Sequence, residues 1–291
     1  MAAGRTVGSF GIFSPELRAE DPGLRAGLRE AAAELEELGF GALWLGGSSG
    51  VRHAARLAGA TSRIVLATGI ANIWFETAAE LAAARARLEE AHPGRFLLGL
   101  GASHAELVAR YERPYTAMAR YLDGLDTAAV PVPADRRVLA ALGPKMLRLA
   151  RDRAAGALPY LVNPEYVARA RSVLGDGPLL APEVSVVLES RPDRAREIAR
   201  GFLPHYLQLP NFQANLRRLG FTDADFADHG SDRMVDSLVV WGPDEVVRDR
   251  LAEYLTAGAD HLALQIRQER GVRTAPRQEW RRLAGILEPA Q

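Results

Sequence analysis

The segment Gly143-Pro144-Lys145-Met146 could bind an anion. It follows the apolar stretch 138–142, and its glycine and proline are typical of a tight turn from a strand into a helix. Lys145 is the only lysine among 36 basic residues, and a cation in the first turn opposes the helix dipole unless an anion shares the site. Backbone N–H groups beside an ammonium favour phosphate. The segment therefore predicts a phosphate-binding turn, and the alternative is a lysine that only faces solvent.

His104 is the candidate for acid–base chemistry. The apolar stretch 96–100 continues into Gly101-Ala102-Ser103-His104, so the histidine stands just beyond the end of a buried strand. An imidazole titrates near neutral pH and could donate or accept a proton there. The alternative is an ordinary surface histidine. A dinucleotide-binding fingerprint would need glycine at this position, which argues against a Rossmann fold.

Further candidates stand at the ends of the first three predicted strands. The third runs into Gly69-Ile70-Ala71-Asn72, and a glycine at the end of a buried strand indicates close approach of another group to the backbone. Trp74 follows and could either wall a pocket or pack against a helix. Phe13, Trp44 and Trp74 are predicted to form the apolar walls and lid of a substrate pocket.

Ser48 lies in the loop Gly46-Gly47-Ser48-Ser49-Gly50, after the second predicted strand. The loop could cradle a phosphate with its backbone N–H groups, but it lacks the spacing and the lysine of a P-loop. A plain turn is the alternative. We include Ser48 among the substrate-pocket candidates.

Composition argues against several other chemistries. Without cysteine the chain has no thiolate nucleophile, zinc–thiolate site or iron–sulfur cluster, and its six histidines are not spaced as metal ligands, so no metal is expected. Neither Ser48 nor Ser103 has a His/Asp partner at motif spacing, and the dispersed carboxylates form no glycosidase pair. The 36 basic and 36 acidic residues balance, which gives no footprint for nucleic acid or a membrane surface. The candidates instead fit a flat, phosphorylated cofactor that acts on a small-molecule substrate.

Eight strand-like segments must position these residues. Five are apolar almost without interruption, as expected of strands buried on both faces, and three are weaker, at Val7–Phe13, Gly41–Gly46 and Ala157–Val162. Amphipathic helical patterns lie between most of them, most clearly at Leu24–Leu38, which stops at Gly39, and at Glu76–Glu90. Eight β-then-α units in about 250 residues favour a closed (β/α)8 TIM barrel over an open doubly wound sheet.

The surplus length falls between about residues 190 and 260, where three helical patterns precede the eighth strand. We interpret it as a helical insertion between strands 7 and 8 of a single domain spanning residues 1–291. The N-terminus lacks the apolar stretch of a signal peptide, and no run of about 18 apolar residues occurs. A cytoplasmic protein is therefore expected.

Five motifs in the same order resemble the luciferase-like monooxygenase superfamily. They begin at residues 39, 64, 94, 140 and 257 and read GFGALW, IVLATGIANIW, GRFLLGLGASH, AALGPKM and AGAD. Within the superfamily, the chain looks most like the branch that uses the deazaflavin coenzyme F420. The resemblance implies a luciferase-like TIM barrel, commonly a homodimer, with a redox deazaflavin held over the carboxyl ends of the strands.

The resemblance also implies roles for particular residues. A non-prolyl cis peptide at Gly69–Ile70 would support the back of the ring, the segment after the fourth strand would line the ring and its side chain, and the lysine-containing turn would bind phosphate. The residues assigned to the cofactor in this way are Gly69, Ile70, Ala71, Asn72, Gly101, Ala102, Ser103, Gly143, Pro144, Lys145 and Met146.

Two departures from the family pattern limit what the resemblance implies. Many deazaflavin-dependent relatives carry an Asp-His pair where this chain has Gly47-Ser48, and some carry a glutamate proton donor where it has His104. A sugar-phosphate dehydrogenase reaction is therefore not expected, and His104 is the predicted proton donor. The predicted function is hydride transfer between F420 and a small organic substrate. The alternatives are a monooxygenase using reduced FMN, a flavin-binding protein without catalysis, and a cofactor-free phosphosugar enzyme.

Overall fold

The computed structural model describes residues 7–104, 108, 111–272 and 274–288, so the N-terminal residues 1–6 lie outside the described part. The strands are β1 (Phe10–Ser14), β2 (Ala42–Gly46), β3 (Val65–Gly69), β4 (Ala71–Asn72), β5 (Phe96–Gly101), β6 (Arg137–Leu139), β7 (Gly156–Ala157), β8 (Leu179–Leu180), β9 (Glu183–Val187), β10 (Val239–Trp241) and β11 (Leu262–Ile266).

Helices connect these strands and surround them. They are α1 (Pro22–Arg25), α2 (Leu28–Glu37), α3 (Val51–Ala58), α4 (Ala78–Ala91), α5 (Pro114–Asp126), α6 (Pro144–Arg153), α7 (Pro164–Leu174), α8 (Pro192–Arg200), α9 (Leu203–Leu207), α10 (Pro210–Arg218), α11 (Asp223–Phe226), α12 (Asp232–Leu238), α13 (Asp244–Thr256) and α14 (Arg277–Leu287). Within the described ranges, no helix has the length and apolar character that crossing a bilayer requires.

The strands form a closed parallel barrel, as predicted. β1 pairs with β2 on one side and β11 on the other, and the ring continues through β3, β5, β6 and β7 to β8. The segment 179–187 closes the ring because it pairs along both edges. On one edge Ala181 N donates to Ala157 O, and on the other Asp260 N donates to Leu180 O. With β3 and β4 counted as one strand, and β8 and β9 as another, the ring has the eight predicted members, and β10, which pairs with β9, is a ninth strand outside this count.

Alternate residues of the strands face the barrel interior, where they form an apolar cluster separate from the larger core outside the sheet. The outer core packs the opposite strand faces against the helices. The interior cluster consists of Val7, Ala42, Trp44, Val65, Ala67, Leu97, Val138, Leu158, Leu179, Ala181 and Ala263, with Phe13 and Ile70 packed against it. Inward positions near the strand ends therefore line the mouth of the barrel.

The predicted helices are largely confirmed. The pattern at Leu24–Leu38 is two helices, α1 and α2, and it stops before Gly39, whose φ of +85° fits a left-handed C-terminal cap. The pattern at Glu76–Glu90 is α4, with an ion pair of 3.3 Å between Arg85 and Glu89. The surplus segment contains α8 to α13. Its short helices α11 and α12 and the strand β10 were not predicted.

Trp44 belongs to the packed interior and not to the pocket wall or lid that the sequence predicts. Its side chain is fully buried, and its indole Nε1 donates to His261 Nε2 at 2.9 Å. His261 precedes β11, and its Nδ1 lies 2.8 Å from Gly8 O, which can only accept. The imidazole is therefore neutral, and burial lowers its pKa to about 4. The pair fills the amino-terminal end of the barrel, away from the mouth.

Replacing Trp44 with phenylalanine should lower the free energy of unfolding by about 1–3 kcal/mol beyond the loss caused by volume alone, because it leaves a buried acceptor without a donor. Trp280→Phe, at a buried tryptophan of the outer core, is the matched control. Urea denaturation at pH 8 measures both losses, and equal losses would contradict a role for the hydrogen bond.

Since folding lowers the His261 pKa from 6.5 to about 4, wild-type stability should decline as the pH falls through that range.

Candidate active site

Glycines at inward positions line one half of the barrel mouth. A Cβ atom on Gly46 or Gly69 would lie 2.6 or 2.5 Å from the ring of Phe13, and one on Gly101 would lie 2.7 Å from Ile70 Cγ1. The side chains of Phe13 and Ile70 therefore rest directly on the backbone. Both are partly exposed, so they present a flat apolar surface at the ends of β2, β3 and β5. Phe13 lies at the mouth, and its predicted role in a substrate pocket stays a prediction.

The peptide bond between Gly69 and Ile70 is cis, as the family resemblance implies. The backbone of Ile70 is fixed by the loop after β2: Ile70 N donates to Gly47 O at 2.7 Å, and Ser49 N donates to Ile70 O at 2.9 Å. Ser48 lies between these two contacts and is exposed. The structure thus brings the predicted residues of the second and third strand ends together.

Trp74 ties the third strand end to the segment after β5. Its indole Nε1 donates to Ala102 O at 2.5 Å, and its backbone N donates to the buried Asn72 Oδ1 at 3.1 Å. The ring also lines a cavity of about 260 Å³ beside α5, together with Tyr121. Trp74 thus lies between the third strand end and α5, and its role in a substrate pocket stays a prediction.

The lysine-containing turn has the predicted form. Pro144 is the first residue of α6, Lys145 is the second, and Gly143 is an extended N-cap. No side-chain hydrogen bond caps this helix start within the described residues, so its first N–H groups are available to a ligand. The Tyr166 hydroxyl lies 2.9 Å from Leu142 O and holds the preceding backbone in place. Lys145 is exposed.

A polar group that the sequence did not predict lies in the other half of the mouth, on the side of β9 and β11. Arg267, just after β11, donates from Nε to Ser185 Oγ at 3.0 Å and from Nη2 to the Tyr160 hydroxyl at 2.6 Å. Glu183 Oε1 lies 3.9 Å from Arg267 Nη2. The same carboxyl oxygen accepts a hydrogen bond from Ser185 Oγ at 3.4 Å. Burial raises the pKa of Glu183 to about 8, so its carboxyl is protonated at neutral pH. A glutamate and a serine two residues apart in an apolar strand were the signal that could have found this group.

Aromatic residues of the surplus segment cover this polar half. The Arg267 guanidinium lies 4.0 Å from the centre of the Phe202 ring, and the rings of Tyr160 and Tyr206 are 4.6 Å apart. The ring of Phe212 lies 5.5 Å from that of His104. His104 therefore reaches from the end of β5 towards the covered polar half. Among the described residues, here or elsewhere, no three His, Asp or Glu side chains are grouped so that they could hold a metal ion.

Gly101→Ala tests the close approach of Ile70 to the backbone. The new methyl group would lie 2.7 Å from Ile70 Cγ1, so the substitution should cost about 1–3 kcal/mol of unfolding free energy. Ile70→Ala in the same chain should recover most of that cost, which denaturant titration of the two single variants and the double variant measures. Gly285→Ala, where an added Cβ meets nothing within 4 Å, is the control. An equal cost with and without Ile70 would refute the contact.

Solved structures of redox enzymes share this fold. An F420-dependent secondary alcohol dehydrogenase in complex with an F420–acetone adduct has a TM-score of 0.71 and 13% identity, covering 97% of this chain and 99% of that chain. The coenzyme F420-dependent tetrahydromethanopterin reductase of Methanopyrus kandleri has a TM-score of 0.71 and 19% identity, covering 96% and 97%.

A third similar structure contains FMN. It is the oxygenating constituent of 3,6-diketocamphane monooxygenase, a type II Baeyer–Villiger monooxygenase from the CAM plasmid of Pseudomonas putida. Its TM-score is 0.69 at 13% identity, and the match covers 97% of each chain. At these identities the likeness establishes the fold alone.

The sequence comparisons identify the family. None of the curated protein sequences matches the chain significantly. The family model of the luciferase-like monooxygenases matches residues 9–123 and 105–261, which together span most of the chain. The resemblance found in the sequence motifs is thereby confirmed, and the chain belongs to the luciferase-like monooxygenases, a family of oxidoreductases.

Proposed function

We propose that this protein transfers a hydride between coenzyme F420 and a small organic substrate. The observation that carries the proposal is the glycine-lined half of the mouth, where Phe13 and Ile70 lie flat on the backbone beside an uncapped helix start with a lysine. A tricyclic ring with an anionic tail matches that combination. When bound, the deazaflavin donates or accepts hydride at its C5 carbon.

The residues present fit such a cofactor. Gly46, Gly69 and Gly101 let the side chains of Phe13 and Ile70 lie flat on the backbone, where their partly exposed faces would support a planar ring. Lys145 and the first N–H groups of α6 would bind the phosphate of the tail. The strand β5, which ends at Gly101, pairs with β4 on one side and with β6, the strand before the lysine-containing turn, on the other, so the segment 101–103 would line the ring and its side chain.

The remaining residues of the mouth would bind and orient the substrate. The rings of Phe202, Tyr206 and Phe212 exclude water from the polar half, which strengthens the electrostatic interactions within it. His104 lies at the edge between the two halves and would hold or deliver the proton that accompanies hydride transfer. Much of the rate enhancement would come from orientation of the two reactants.

A monooxygenase that uses reduced FMN is the alternative activity. One of the similar structures contains FMN, and FMN also has a tricyclic ring and a phosphate. F420-dependent enzymes and monooxygenases both occur among the similar structures, which therefore do not separate the two cofactors. The resemblance of the sequence motifs to the F420 branch is what favours the deazaflavin.

Fluorescence titration of the purified protein with F420 and with FMN tests the proposal. We expect F420 to bind more tightly, and Lys145→Ala to weaken its binding by more at low than at high salt, because ionic screening reduces the contribution of an exposed ammonium. Arg282→Gln removes an exposed cation on α14 and is the matched control. Preferential binding of FMN, with turnover that requires O2, would establish the alternative. A Lys145→Ala effect that is absent or independent of salt would contradict its role.

His104→Gln should lower turnover by about 100- to 10,000-fold, because the variant keeps a hydrogen-bonding side chain but cannot transfer a proton. The affinity for F420 should remain close to that of the wild type. Turnover of reduced F420 with a panel of carbonyl and alkene acceptors measures the first quantity, and fluorescence titration measures the second. His92→Gln, at the opposite end of β5, is the control. Unchanged turnover of the His104 variant would remove it from the reaction.

A further inference from the structure

We propose that Arg267 is the binding site for a carboxylate group of the substrate. The site is the polar half of the mouth, opposite the glycine-lined half, and consists of Arg267 with Tyr160, Glu183 and Ser185. The inference rests on the proposed function insofar as it identifies the bound carboxylate as part of the substrate.

Protein contacts hold the Arg267 guanidinium in one orientation but leave part of it unpaired. Ser185 accepts from Nε, Tyr160 accepts from Nη2, and the ring of Phe202 covers one face at 4.0 Å. Within the described residues Nη1 donates to no acceptor, and the side chain keeps 13% of its surface exposed. A guanidinium with a fixed plane and a free edge suits bidentate binding of a carboxylate.

Glu183 is the nearest acidic group, but it does not pair fully with Arg267. The shortest distance between them, 3.9 Å, is too long for a hydrogen bond. Glu183 is 98% buried, since only 2% of its surface is exposed, and its Oε2 has no partner among the described residues. A buried polar atom without a partner commonly marks a place where a ligand or water completes the structure.

The charges around Arg267 leave an excess of positive charge at neutral pH. Burial raises the pKa of the Tyr160 hydroxyl, so this group faces Arg267 as a neutral phenol. Glu16 faces Arg267 from beyond the end of β1 without forming an ion pair. Tyr254 lies near Glu183 on the α13 side, and burial raises the pKa of its hydroxyl, so it is also neutral. Burying a cation without an equal counter-charge is costly, and a carboxylate ligand would remove that cost.

This arrangement predicts how ligand binding depends on pH. When Glu183 ionises, its carboxylate competes with the ligand for Arg267. Because the pKa of Glu183 is raised to about 8, the affinity for a carboxylate should be constant below that pH and fall above it. The fall should approach about tenfold per pH unit.

Benzoate is the probe, because its flat ring suits the aromatic residues around Arg267, and benzamide is its uncharged counterpart. Isothermal titration of the whole protein, with and without F420, should detect binding of benzoate but much weaker binding of benzamide. Arg267→Gln should weaken benzoate binding about tenfold or more, and Arg267→Lys should weaken it less, because lysine keeps the charge but not the bidentate geometry. Arg282→Gln should have no effect. Circular dichroism melts establish that each variant is folded.

Glu183→Gln separates a carboxylate site from a structural ion pair. In this variant benzoate affinity should become independent of pH between about pH 6 and pH 9.5, because the competing ionisation is lost. No benzoate binding by the wild type, equal binding of benzamide, or equal affinity in Arg267→Gln would each overturn the inference. If benzoate binds through Arg267 but F420 does not bind, the proposed function fails and the carboxylate site stands. If F420 binds and benzoate does not, the carboxylate site alone is refuted.

Discussion

The double pairing of the segment 179–187 is the constraint on which the candidate site depends. One edge of this segment pairs with the chain after β7 and the other with the start of β11, which turns a parallel sheet into a ring. In a closed ring, the inward residues of distant strands converge on one opening. Gly69 and Arg267 therefore face the same opening although about two thirds of the chain separates them.

The two halves of that opening differ in the size and polarity of their inward residues. On the side of β2, β3 and β5 the inward residues near the strand ends are glycines, and only Phe13 and Ile70 cover the backbone. On the side of β9 and β11 they are Glu183, Ser185 and Arg267, covered by aromatic rings of the surplus segment. A flat cofactor needs the first surface and a polar substrate needs the second. A reaction between them would take place at their boundary, where His104 lies.

Local sequence patterns were sufficient to predict most of the fold. Strands that are buried on both faces are apolar almost throughout, and the helices between them have a regular apolar face. The lysine-containing turn was predictable for the same reason, because the positions of glycine and proline depend only on the local backbone. The short strand β10 carries no such pattern, since it is three residues long and pairs with β9 more than 50 residues earlier in the chain.

Contacts between residues far apart in the chain were not predictable. Trp44 and its acceptor His261 are 217 residues apart, and nothing near Trp44 indicates that its indole points towards the closed end of the barrel. Arg267 likewise meets Ser185 and Tyr160 across 82 and 107 residues. Before these contacts are known, Glu183 and Ser185 are two polar residues in an otherwise apolar strand, with nothing to show what they face. Their position inside the barrel becomes evident only once the strand register is known.

Electrostatics links the two ends of the proposed reaction site. Lys145 stands beside the free N–H groups of α6, and Arg267 stands beside a carboxyl group that burial keeps protonated. Each half of the mouth thus has a positive centre whose charge the protein itself does not fully neutralise. Two such centres on opposite sides of an apolar floor would hold an anionic cofactor tail and an anionic substrate apart, while the ring and the reacting carbon meet between them.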